Sequence, residues 1–156
     1  FYFSWKAKQV GMEARFIELA GQINGSMPRH VVELVADALN EQSRSVKGSR
    51  ILVVGVAYKP DIDDVRESPA LDIMKLLNMR GGDIWWCDPH VDSLHDMDEM
   101  RKLDDWDTES LGRFDAAVIV TPHDSVTHEM LLESGPVIID TWNALKGHSS
   151  EKLIRL

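Results

Sequence analysis

The stretch from Gly48 to Pro69, GSRILVVGVAYKPDIDDVRESP, constrains the fold more than any other part of the chain. Its apolar run Ile51-Leu52-Val53-Val54 has no polar alternation, which suits a strand covered on both faces, as in a parallel sheet flanked by helices. Gly55 permits a sharp turn at the end of that strand. The following residues include Asp61, Asp63, Asp64, Arg66 and Glu67, too many charges for a core. The loop is therefore predicted at the carboxyl end of the strand, in solvent or against a ligand, at the edge where open α/β sheets bind their ligands. Ser68-Pro69 then starts a helix, serine as N-cap and proline at the first helical position.

The rest of the chain fits around this unit. Ala70, Ile73, Met74 and Leu77 form the buried stripe of the helix, Gly81-Gly82 ends it, and Ile84-Trp85-Trp86-Cys87 is a second strand closed by Asp88-Pro89. Strand, helix and strand within about forty residues make a βαβ unit. Ala116 to Val120 and Val137 to Ile139 read as third and fourth strands. Helices are expected over Met97 to Trp106, Ser125 to Leu132 and Glu151 to Leu156. Upstream, a short helix over Trp5 to Val10 stops at Gly11. Phe16, Ala20, Ile23, Met27, Val31, Leu34, Val35 and Ala38 then recur at helical spacing, with Pro28 as a kink or a fresh start. Asn40 to Ser49 is the linker. The expected fold class is α/β: a small, Rossmann-like, mostly parallel sheet flanked by helices and preceded by a long central helix.

Composition narrows the partners. The chain has 156 residues, 44% hydrophobic, enough for one core, and a formal charge of -9. That charge argues against nucleic acid or an anionic membrane surface as a partner. No apolar run approaches the ~20 residues of a membrane span, and a cytoplasmic setting is expected. The aromatic opening Phe1-Tyr2-Phe3-Ser4-Trp5 without a methionine reads as a cut from a longer chain.

Four strand ends converge on one sheet edge: Tyr58-Lys59, Asp88-Pro89-His90, Thr121-Pro122-His123 and Asp140-Thr141-Trp142. Gly55-Val56-Ala57-Tyr58-Lys59 lacks the second and third glycines of the dinucleotide turn, so backbone wrapping of a pyrophosphate is not expected. Lys59 and Arg66 are the side-chain candidates for phosphate. The ordinary alternative for each is a surface salt bridge to Asp63, Asp64 or Glu67. His90, His95, His123, His128 and His148 show no tight ligand spacing, which argues against a metal centre. Cys87, the single cysteine, sits in a central strand and reads as a core residue, not a nucleophile. A phospho-acceptor receiver domain would need an aspartate ending the third strand and a lysine ending the last, where this chain has Thr121 and Asp140-Thr141-Trp142.

These residues carry a resemblance. GVAYKPDIDDVRESPA resembles the start of the C-terminal domain of the UDP-glucose/GDP-mannose dehydrogenase family, with its pattern G-x-[AS]-[FY]-K-x-x-x-x-D-x-R-x-S. FYFSWKAKQVG, FIELAGQIN and MPRHVV resemble the end of that family's catalytic loop region and its long central helix, and CDPHV, VIVTPHD and IIDTWNAL its other strand-end motifs. The SWKA and FIELAGQIN wording is most similar to members acting on UDP-N-acetylhexosamines.

The resemblance implies a division into residues 1–47, a central helical linker and dimerisation segment, and residues 48–156, a UDP-sugar-binding domain. It implies a parent enzyme that oxidises the 6-hydroxyl of a UDP-sugar, UDP-N-acetylhexosamine or UDP-glucose, to a uronate in two NAD-dependent steps through a cysteine thiohemiacetal. That cysteine, the main NAD domain and the catalytic lysine and asparagine are expected upstream of Phe1, so this chain alone is expected to be inactive. Tyr58 and Lys59 match the pair that contacts the nucleotide-sugar, and Arg66 the arginine that reaches NAD. Trp142 stands where the family often has arginine. The competing expectation is a homodimerisation module with little ligand affinity, built on the Phe16 to Leu39 stripe.

Overall fold

A computed structural model describes Lys6, Gln9 and residues 14–156. Helix α1 (Arg15–Glu41) is followed by β1 (Arg50–Val54), α2 (Pro69–Met79), β2 (Asp83–Cys87), the two-residue β3 (Arg101–Lys102), α3 (Thr108–Leu111), β4 (Ala116–Ile119), α4 (Met130–Ser134), β5 (Val137–Asp140) and β6 (Leu153–Arg155). The six strands form one sheet in the order β3-β2-β1-β4-β5-β6, and every pairing is parallel. This is the doubly wound order of nucleotide-binding α/β folds, whose topological switch point lies between β1 and β4.

The two-sided burial read from β1 is observed residue by residue. Ile51 and Val53 face one core with Val31, Val35 and Leu39 of α1 and Ile73, Met74 and Leu77 of α2. Leu52 and Val54 face the opposite core with Leu111, Phe114, Leu131 and Leu145. Successive side chains of a strand point to opposite faces, so a strand between two cores must be apolar throughout. Long helices cover one face; short helices and loops cover the other.

Local signals behaved as their chemistry dictates around α2. The Ser68 hydroxyl accepts from Ala70 N–H at 3.3 Å with Pro69 in the first turn, and Gly82 N–H closes the far end on Leu77 O. Helix α1 runs through Pro28 without ending. Its C-terminal half is buried, while Phe16, Ile17, Leu19 and Ile23 of its N-terminal half are exposed. The short helix expected over residues 5–10, with its stop at Gly11, lies outside the described residues apart from Lys6 and Gln9, both helical.

Three expected helices differ. No helix spans Met97 to Trp106: turns lead into β3, and α3 begins only at Thr108. The reason is that Met97 and Met100 pack into the core beneath α1 and α2, whereas Leu103 and Trp106 pack on the opposite face of the sheet. One helix cannot serve both faces, and Leu103 N–H instead bonds Trp86 O at 2.8 Å. From Ser125 to Leu132, only Met130 onward is helical. The preceding residues form turns with i to i+3 bonds, such as Val126 N–H to His123 O, and β-branched Val126 and Thr127 favour that outcome. Glu151 to Leu156 holds strand β6 rather than a helix: Leu153 and Ile154 pack on opposite faces, a period of two.

Candidate functional site

The loops after β1, β2 and β4 meet at the switch point, and a buried carboxylate ties them together. Asp88, just past β2, accepts hydrogen bonds from Val56 N–H at 2.8 Å and Ala57 N–H at 3.0 Å through Oδ2, and from His90 N–H at 2.8 Å through Oδ1. His123, past β4, lies with Nε2 2.9 Å from the same Oδ2. The other ring nitrogen, Nδ1, accepts from Asp61 N–H at 3.0 Å, so the ring proton sits on Nε2 and is donated to Asp88. Burial works against charge on Asp88, but the hydrogen bonds from His123, His90, Ala57 and Val56 outweigh it and hold the carboxyl below its usual range.

This arrangement decides what the β1 turn can bind. In a dinucleotide fold the N–H groups after β1 face a pyrophosphate. Here the N–H groups of Val56 and Ala57 are taken by Asp88, and α2 does not begin until Pro69. Gly55 is needed for a different reason: its φ is +78°, and a Cβ there would stand 1.8 Å from Thr121 O. The turn is packed against Thr121, and its Val56 and Ala57 N–H groups are not free for a pyrophosphate.

Binding capacity therefore passes to side chains on the loop that follows. Tyr58 N–H bonds Asp64 O at 2.7 Å and closes the loop at its base. Asp61, at its tip, is held by His123 and accepts from Asp124 N–H at 3.1 Å. Tyr58 is 47% exposed, and the Lys59 ammonium lies 5.6 Å from its ring centroid. Among the described residues Lys59 forms no salt bridge.

Arg66 is different. It makes a two-pronged pair with Asp64, Nε to Oδ1 at 2.9 Å and Nη2 to Oδ2 at 2.7 Å, and this pairing lowers Asp64 to about 2. The ordinary salt-bridge alternative is thus realised for Arg66 but not for Lys59. The Arg66 side chain is 86% exposed and that of Asp64 36%, which leaves the guanidinium accessible.

The remaining candidates separate clearly. Cys87 is buried, and burial, reinforced by the Asp88 charge, pushes its thiol far up, as befits a core residue. Asp140 turns inward and caps the N–H groups of Trp142, Ala144 and Leu145, while the Trp142 side chain is exposed. A cavity of about 280 Å³ opens beside this edge between Cys87-Asp88-Pro89, Leu103, Trp106 and Ser125-Val126.

Sequence spacing missed two things. Asp88 and His123 were visible as strand-end residues, but nothing in their spacing of thirty-five positions marks them as a pair. Likewise His90, His123 and Asp61 come from three separate loops, yet their ligand atoms lie within 4.8 Å of one another. Only the parallel topology gathers them.

Residues 52–147 match the family model for the UDP binding domain of the UDP-glucose/GDP-mannose dehydrogenase family. The chain is 30% identical over 121 residues to a UDP-N-acetyl-D-mannosamine dehydrogenase of Methanococcus maripaludis, covering 78% of this chain and 26% of that protein. The solved UDP-D-ManNAc dehydrogenase of Pyrococcus horikoshii aligns with a TM-score of 0.77 at 27% identity, over 96% of this chain and 35% of that one. A UDP-glucose dehydrogenase from Pyrobaculum islandicum aligns with a TM-score of 0.75 at 26% identity, over 98% and 34%. The chain therefore spans about a quarter to a third of the length of these relatives. Among the described residues no helix is long and apolar enough to cross a membrane.

Proposed function

The chain belongs to the UDP-glucose/GDP-mannose dehydrogenase family, and on that premise we propose that it is the nucleotide-sugar-binding part of an NAD-dependent, cytoplasmic UDP-sugar 6-dehydrogenase. The substrate is a UDP-N-acetylhexosamine or UDP-glucose. Lys59 meets the diphosphate and Tyr58 packs on the nucleotide-sugar. The observation that carries this reading is the Lys59 ammonium, without a salt bridge among the described residues, beside the exposed Tyr58 ring, on a loop braced by Asp88 and His123 at the switch point of the sheet. In a chain of net charge -9, an anionic ligand needs such a local cation.

NAD is assigned to a part of the parent enzyme outside this chain, because the β1 turn here has its N–H groups occupied. Arg66 reaches toward that cofactor from this domain by exchanging Asp64 for a phosphate. The chain is proposed to be inactive by itself, since its single cysteine, Cys87, is buried and held as a thiol. Residues 48–156 form the binding unit. Residues 1–47 form a linker and homodimer contact, for which the exposed Phe16, Ile17, Leu19 and Ile23 are the support.

That same apolar face favours a second reading, an assembly module with little ligand affinity. Amide chemical-shift mapping with UDP separates the two. Shifts concentrated between residues 56 and 66 are expected; none at saturating UDP would favour the assembly module. NADH formation by the chain alone with UDP-sugars is expected to be nil, and turnover would contradict its assigned inactivity.

A further inference from the structure

The geometry points to a divalent transition-metal site formed by Asp61, His90 and His123, of the class that takes Zn2+. Asp61 Oδ1 lies 3.7 Å from His90 Nε2 and 3.9 Å from His123 Nδ1, and the three ligand atoms fall within 4.8 Å of one another. Bonds of about 2.1 Å at tetrahedral angles place ligand atoms roughly 3.4 Å apart. The cluster is thus open and must close by about 0.3 Å at its Asp61–His90 edge and by up to about 1.4 Å at its longest. The side chains that must move are able to: Asp61 and His90 are 46% and 35% exposed, whereas His123 is 1% exposed and fixed.

His123 is fixed in the manner a ligand histidine requires. Its Nε2–H is directed into the buried Asp88 carboxylate, which leaves the Nδ1 lone pair facing Asp61 and His90. A carboxylate behind a histidine in this way sets the tautomer and raises the basicity of the coordinating nitrogen. The rings of His90 and His123 are already neighbours, with centroids 4.9 Å apart.

Two hydrogen bonds already engage these ligand atoms: Asp61 Oδ1 accepts from Asp124 N–H at 3.1 Å, which its second lone pair lets it keep, and the other competes directly. Asp61 N–H now donates into the Nδ1 lone pair at 3.0 Å. A metal ion would displace that neutral hydrogen bond, and the freed N–H, on an exposed loop, can be hydrated. Two imidazole nitrogens and one carboxylate oxygen suit Zn2+, Co2+ or Ni2+ rather than Mg2+ or Ca2+, which prefer oxygen alone. The remaining coordination positions open to solvent and would hold water. A bound ion would cross-link the loops after β1, β2 and β4, two residues from Lys59.

The test is a titration of the whole chain, freed of metal by chelation, with Zn2+ by calorimetry and with Co2+ by visible absorption. Saturable binding at a single site is expected, together with a rise in melting temperature on adding Zn2+. His90→Ala and Asp61→Asn should each weaken it by at least about tenfold, and both leave the Asp88–His123 brace and the Asp61 backbone in place. His148→Ala is the control and should change nothing. Wild-type chain without saturable binding, or His90→Ala binding Zn2+ as tightly as wild type, would overturn the proposal.

Discussion

His123 Nε2 lies 2.9 Å from Oδ2 of Asp88, and both side chains are buried. The pair is the point through which β1, β2 and β4 communicate, because the same carboxylate also receives Val56, Ala57 and His90 N–H groups. Asp88→Ala would leave four donors without an acceptor. A buried, charged hydrogen-bond hub of this kind is worth about 3 kcal/mol or more. Urea unfolding should show that loss, and a change under about 1 kcal/mol would mean the loops are held by other contacts.

Two buried groups make stability fall as pH falls, in separate windows. Burial holds His128 below its ordinary value, with Glu129 and Asp140 offsetting only part of the effect. The unfolded chain therefore binds a proton first, and stability should decline as pH drops below about 6.5 toward the folded value. Asp88 is also depressed. Its contribution is complete above about 4 and is lost as pH falls through its lower folded value. Unfolding free energy against pH should show both declines, the first absent in His128→Gln and the second reduced in Asp88→Asn.

Gly55→Ala tests the seal between β1 and β4. The added methyl would meet Thr121 O at 1.8 Å, and the backbone stands at φ +78°. The atoms it meets are the Thr121 carbonyl and Cβ rather than a flexible side-chain tip, so something in the backbone must move. A loss above about 2 kcal/mol is expected, read as a drop in melting temperature. Gly48→Ala, where a Cβ meets nothing within 4 Å but φ is +83°, should cost only the conformational strain of about 1 kcal/mol.

The N-terminal half of α1 exposes Phe16, Ile17, Leu19 and Ile23 while its C-terminal half is buried on the sheet. An Ile23→Asp substitution on this face should shift sedimentation toward monomer without lowering the melting temperature of the sheet domain. Unchanged sedimentation would count against the proposed homodimer contact on this face.

The βαβ core was legible because each signal there had one physical meaning. The apolar run at Ile51 to Val54, Ser68-Pro69 and Gly81-Gly82 all appear where their chemistry requires. The segment from Met97 to Trp106 was not, since helical spacing cannot reveal that Met97 and Trp106 serve opposite faces of a sheet. Leu153-Ile154 was too short for period two and period three to be told apart. Near the switch point, motif and charge singled out Tyr58, Lys59 and Arg66 as candidates. The brace beneath them was not, because Asp88, His123 and Asp61 become neighbours only when the strands lie side by side.

The central claim is that Lys59 meets the diphosphate of a nucleotide-sugar, and calorimetric titration of UDP into wild-type, Lys59→Ala and Lys75→Ala chains tests it most directly. A charge-assisted hydrogen bond is worth about 1.5–3 kcal/mol, so Lys59→Ala should weaken UDP about ten- to a hundredfold. Lys75, on α2 away from the switch point, should be replaceable without effect. Equal UDP affinity in wild type and Lys59→Ala would contradict the account.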